Sequence, residues 1–177
     1  MNWEAAGAIG EILGSLAVIG SIFYLGLQVK HAAGVAKASA QQSAAQMTID
    51  TMIPTLDSQI LSTASRKATN DEELTADELS NYLRWVWIRM RVAENAYYQY
   101  RQGLLDLDTW IGHSLLILGH IGPGTVAGPY WERFSLRYSD KFLEEVDRIL
   151  NWRKELGVDD IAENRAEYRA MLKKALI

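Results

Sequence analysis

Eighteen consecutive residues, Ile12 to Val29, carry no charge, and the longer apolar stretch from Ala5 to Val29 holds one ionisable group, Glu11. At about 1.5 Å per residue these lengths cover about 27 and about 37 Å as helix, against a hydrocarbon core of about 30 Å. A surface helix would show a polar stripe, yet no face of this segment is charged over about five turns. The expectation is one transmembrane helix over residues 1–30. Two other readings compete: a buried core helix of a soluble bundle, and a cleaved signal peptide, suggested by the small-x-small pattern Ala38-Ser39-Ala40. Against the second, Asn2, Trp3 and Glu4 offer no basic leader and the apolar run exceeds a typical signal core, so the segment is expected to be retained. No Lys or Arg precedes the run, whereas Lys30 and Lys37 follow it. The positive-inside rule then places the amino terminus outside and the remainder in the cytoplasm.

Five of the thirteen glycines, Gly7, Gly10, Gly14, Gly20 and Gly26, fall in this segment. Gly7, Gly10, Gly14, Ala17 and Ser21 recur at intervals of three and four, so they share one helix face, continued by Tyr24, Gln28 and His31. Leu13, Leu16, Ile19, Ile22, Phe23 and Leu27 lie largely off it. Lipid supplies no hydrophobic drive between helices, so close approach at small residues provides the association energy. The seam is expected to pack on a helix of another chain, either a second copy or a different membrane protein. Glu11 lies beside it. A carboxyl group at the bilayer centre costs about 2 to 3 kcal/mol on insertion scales, so Glu11 reads as a headgroup-level anchor with Trp3, as protonated helix glue, or as an ion or proton site.

The remainder reads as all-α: a helical juxtamembrane connector over 31–70 and a helical soluble domain over 71–177. The absence of cysteine excludes disulfides, thiolate metal sites and a cysteine nucleophile. A net charge of −4 leaves no cationic excess for a phosphate backbone, so no nucleic-acid partner is expected. The alanine- and glutamine-rich stretch Lys30 to Ile53 prolongs the first helix, and Pro54 is expected to end or kink it. A short helix from Thr55 to about Ser65 and a solvated acidic turn, Asn70 to Glu73, follow.

Thr75-Ala-Asp-Glu78 is a capping box. It opens a helix of about 27 residues whose core face is Leu79, Leu83, Val86, Met90, Ala93, Tyr97, Tyr100 and Leu104. The same helix carries Arg84, Trp85, Trp87, Arg89 and Arg91, readable as arginines paired with carboxylates of neighbouring helices with the tryptophans half-buried, or as a face docked on anionic membrane lipid. Glu94, Tyr98 and Arg101 share an adjacent face and could form a polar network or a ligand site. Asp106 or Asp108 caps a helix from Thr109 to His120. A bend rich in glycine and proline follows, Gly119 to Pro129, and then a short helix opens at Tyr130. Ser139 caps a helix to about Lys154 with Phe142, Leu143, Val146, Ile149 and Leu150 inward. Asp159-Asp160 starts a last helix with Ile161, Arg165, Tyr168, Leu172 and Ala175 on one stripe.

Signals for catalysis are absent. The glycine bend has no Gly-Lys-Ser/Thr ending, Gly112-His-Ser-Leu-Leu116 lacks the second glycine of a nucleophile elbow, and no zinc or di-iron pattern occurs. His113 and His120 are seven apart on one face, which fits haem or chlorophyll ligation or, more plainly, two core histidines. No catalytic residue, metal or cofactor is expected.

Trp3-Glu-Ala, Gly7-Ala-Ile-Gly-Glu11-Ile-Leu-Gly14 and Tyr24-Leu-x-x-Gln28-Val-Lys30 resemble the amino terminus of a widespread group of uncharacterised bacterial single-pass membrane proteins. The stretch Glu94 to Asp106, with Tyr97-Tyr98-Gln99-Tyr100-Arg101-Gln102-Gly103-Leu104-Leu105-Asp106 and Trp110 after it, resembles their most distinctive motif. Trp131, Phe134, Ser139, Phe142 and Val146-Asp147 resemble their closing part. The resemblance covers most of residues 1–151, leaving the last 25 as an extension, and the Gly119 to Gly128 bend is longer and richer in glycine than in that group. It implies a bacterial inner-membrane location and no particular activity. The functional expectation is a non-enzymatic, membrane-anchored helical protein that assembles as a homo-oligomer or an accessory subunit. The alternatives are an ion-conducting or ion-sensing oligomer using Glu11, and a cofactor- or ligand-binding membrane protein.

Overall fold

The apolar run forms the first part of a single helix, α1 (Trp3–Asp57). The computed structural model describes residues 3–156 and 165–174, and among them the chain is all-helical, without strands. It divides into two compact units, residues 1–39 and 40–177. Residues 31–39 of the expected connector therefore belong to the first unit, and 40–70 to the second. Ala40 and Ala44 are core residues of the second unit.

Pro54 does not itself end α1, which runs on to Asp57. It stands in the last turn, where one missing N–H removes a single backbone bond, and its own carbonyl still accepts from the Ser58 N–H at 3.0 Å. The break comes at Ser58, in extended conformation, whose hydroxyl accepts from the Leu61 N–H and caps α2 (Gln59–Thr69). The expected helix from Thr55 to Ser65 is thus displaced by four residues. Asp71, in the left-handed region at φ 57°, closes α2, and the Glu72 N–H reaches back to the Lys67 carbonyl at 2.9 Å.

α3 (Ala76–Arg101) begins with both halves of the Thr75–Glu78 capping box formed, and Lys67 adds an ion pair to Glu78 at 2.8 Å. The expected face is inward: Leu83, Val86, Met90, Ala93 and Tyr100 are buried, and Leu79, Tyr97 and Leu104 pack against that core. The helix stops at Gly103, where φ is +70°. A side chain there would suffer the left-handed penalty of about 1 kcal/mol that glycine escapes. Asp106 rather than Asp108 caps α4 (Leu107–Ile121), accepting from the Thr109 N–H at 2.7 Å. Gly122 then makes the bend possible, because a Cβ there would lie 2.3 Å from the Leu118 carbonyl oxygen.

A 3-10 turn (Gly128–Tyr130) leads into α5 (Trp131–Ser135) and α6 (Asp140–Leu156). Phe142, Val146 and Ile149 of α6 are wholly buried, with Leu143 and Leu150 half-buried beside them. The expected start of the last helix at Asp159-Asp160, with Ile161 and Ala175, lies outside the described residues. Its described part, α7 (Arg165–Lys174), is not an appendage, since Tyr168 is 1% and Leu172 0% exposed. The Tyr168 hydroxyl donates to Ser114 Oγ of α4 at 2.7 Å, and Ser114 donates on to the Ile111 carbonyl.

Candidate functional site

Every residue from Gly7 to Ser39 is exposed. The seam positions Gly7, Gly10, Gly14, Ala17 and Ser21 therefore form an open strip, and a Cβ added at Gly7, Gly10 or Gly14 would meet nothing within 4 Å. Several polar side chains on or beside it are paired within the helix itself. Ser15 donates to the Glu11 carbonyl and Ser21 to the Ala17 carbonyl, each at 2.8 Å, and the Gln28 amide donates to the Tyr24 hydroxyl at 2.6 Å. Such internal pairing lowers the cost of placing hydroxyl and amide groups in an apolar medium. Glu11 is exposed and forms no ion pair among the described residues, and Trp3 is exposed at the start of the helix.

The basic and aromatic residues of α3 do not share one exposed face. Arg84 and Arg91 are exposed, but Arg89 is 5% exposed and Trp85 and Trp87 are half-buried. The Trp85 indole N–H donates to the Thr51 carbonyl of α1 at 2.7 Å, and Trp87 packs on Phe134. Arg91 pairs with Glu94 and donates to the Arg137 carbonyl at 2.8 Å. Trp85 and Trp87 are thus used inside the bundle, which leaves the headgroup-docking reading without its aromatic half.

Glu94 and Tyr98 line one cavity with Met47, Arg91 and Ser139, while Arg101 is not among its lining residues. The Glu94 carboxylate accepts from Arg91 and from the Ser139 N–H at 2.7 Å, tying the start of α6 to α3. Tyr98 is exposed, and Arg101 lies 5.8 Å from the ring of Tyr97 instead.

His113 and His120 both enter the bundle, and with Arg89 and Trp85 they make up its most unusual region. The Arg89 guanidinium carbon is 4.9 Å from the Trp85 ring centroid, and the His120 imidazole meets the other neighbourhood of that indole edge-on at 5.0 Å. Burial, reinforced by the Arg89 charge, lowers the pKa of both histidines, that of His120 to about 4. They are neutral near pH 7. Arg89 has no carboxylate partner among the described residues, and its Nε and the His120 Nε2 lack hydrogen-bond partners. Among the described residues no three His, Asp or Glu side chains converge as a metal site would require.

Sequence reading missed the depth of Arg89, although the signal was present. Tyr82, Val86, Arg89, Ala93, Ala96 and Tyr100 form an unbroken four-three alternation, and all six are buried. The Glu145–Arg148 pair at 2.5 Å, whose guanidinium also donates to the Met171 carbonyl, left no sequence signal beyond ordinary helix spacing. Comparison with known proteins finds no matching family model, no matching curated protein and no matching solved structure.

Proposed function

We propose that this chain is a membrane-anchored, non-enzymatic helical protein that assembles through α1, as a homo-oligomer or as an accessory subunit of a larger membrane complex. One observation carries the reading. The most apolar eighteen-residue window of α1 has mean hydropathy 1.9, and among the described residues none of it is buried. Water exposure of it would cost about 25 cal/mol for each Å² of apolar area, which a bilayer and a partner helix remove. The positions Gly7, Gly10, Gly14, Ala17, Ser21, Tyr24, Gln28 and His31 alternate by three and four. Their mean period of 3.5 fits a left-handed crossing of two helices near 20°.

The test uses purification in mild detergent, with assembly read by size and by co-purifying chains from native membranes. Gly10→Leu with Gly14→Leu should dissociate the complex, whereas Ile19→Leu, off the seam, should not. A wild-type monomer without partners, unaffected by the seam substitutions, would refute the proposal. Glu11, beside the seam and without an ion pair, supports a second reading in which several copies bring their carboxyl groups together to pass or sense an ion. Liposome flux that persists unchanged in Glu11→Gln would eliminate it.

A further inference from the structure

A pocket of about 290 Å³ opens between α2, α3, α4 and the glycine bend, lined among others by Ser65, Thr69, Tyr82, Trp85, His120 and Thr125. Two of its side chains end in buried polar atoms without a partner, Ser65 Oγ and His120 Nε2. Such atoms are rare in folded proteins and ask for a water or a ligand. Beneath the same indole that lines the pocket lies Arg89, 5% exposed, its Nε unsatisfied and no carboxylate paired with it among the described residues. The Tyr82 phenol, a pocket residue, is neutral near pH 7, burial raising its pKa further, so it supplies no counter-charge to Arg89. A buried cation without a counter-charge is strongly disfavoured; Arg89 does not itself line the pocket, but its charge acts on the His120 ring that does.

We propose that this pocket binds an oxyanion, a phosphate or carboxylate group on a small molecule or lipid headgroup, whose charge compensates Arg89 and whose oxygens engage Ser65 and the His120 ring. The neutral imidazole beside a buried arginine fits this role. An anion at its edge would favour the protonated ring, in which both nitrogens donate, so that Nε2 offers the anion an N–H. The site does not depend on the reading of α1.

The full chain in a neutral non-ionic detergent tests it. Thermal midpoints are measured at pH 7 with inorganic phosphate, with acetate and with monomeric short-chain phosphatidic acid, each against chloride at equal ionic strength. The His120 ring proton signal is followed by NMR over pH 3 to 8. At about tenfold excess over the dissociation constant the bound anion should raise the midpoint by about 3 to 6 °C and move the His120 titration upward from about pH 4. Arg89→Met should abolish both effects, and Arg89→Lys should retain part of them. A response to phosphate or acetate identifies a free small anion, and a response to phosphatidic acid alone identifies a lipid headgroup. No response of the wild-type protein to any of the three, or the same response in Arg89→Met, overturns the proposal. The wild-type arm decides the matter even if the Arg89 variants do not fold.

Discussion

Arg89 and His120 show how far single residues depart from the roles their types suggest. On the sequence, an arginine among tryptophans reads as paired with a carboxylate of a neighbouring helix or as docked on lipid; in the fold Arg89 occupies a register position of the core and has no carboxylate partner among the described residues. The reason is that α3 is covered on more than one side, by α2, α4 and α6, so the apolar stripe widens past the face that hydrophobic spacing alone selects. Sequence periodicity reports which residues can be inward, not which charged ones are carried along with them. His120 gives this a measurable consequence. Its pKa is lowered in the folded chain to about 4, against 6.5 ordinarily, so between those values the unfolded chain binds a proton that the folded chain refuses. Stability contributed by the neutral ring is complete above pH 6.5 and falls as pH drops towards 4. Urea unfolding at pH 7 and pH 5 should therefore differ by about 2 kcal/mol on account of this group, and His120→Gln should remove that share of the difference. His113, lowered in the same direction, adds to the slope with the same sign.

At the level of elements, local signals decided what was legible. α3 announced both its ends, by a capping box at Thr75 and Glu78 and by the glycine at 103, because these motifs satisfy the orphan backbone groups of a helix wherever it packs. Thr75→Ala should lower stability by about 1 kcal/mol, read as a shift in the urea midpoint at unchanged slope. Pro54 does not mark the end of α1, for the complementary reason. Proline disrupts a helix through its neighbours one turn back, and within the final turn there is little left to disrupt, so the true terminator was the unobtrusive Ser58. Asp106 and Asp108 were equally good caps by type, and only the position of Thr109 at the start of α4 separates them. The Glu94 to Asp106 stretch was legible as a motif but not as a site, since its carboxylate is spent on fastening α6 at Ser139.

On the scale of the whole molecule, the second unit is assembled from neighbours in sequence, with α2 on α3 and α3 on α4, until α7 returns to α4. That last contact was invisible beforehand because nothing in a tyrosine or a leucine on an amphipathic stripe names the partner helix. Its anchor is the Tyr168 hydroxyl on Ser114, flanked by the Trp152 ring at 4.7 Å. A helix held by a few contacts distant in sequence leaves first when the protein breathes and docks last when it forms, since bringing together segments far apart in the chain is an entropic cost met only at the end. Deuterium should accordingly enter the amides of α7 well before those of α3, and Tyr168→Phe should speed exchange in α7 about fivefold, the equivalent of about 1 kcal/mol, while leaving α3 unchanged. Uniform exchange across both helices would contradict this order. The tyrosine on Ser114 then acts as a latch on the timescale of seconds to hours, and each time it lifts, the sealed middle of α4 meets solvent.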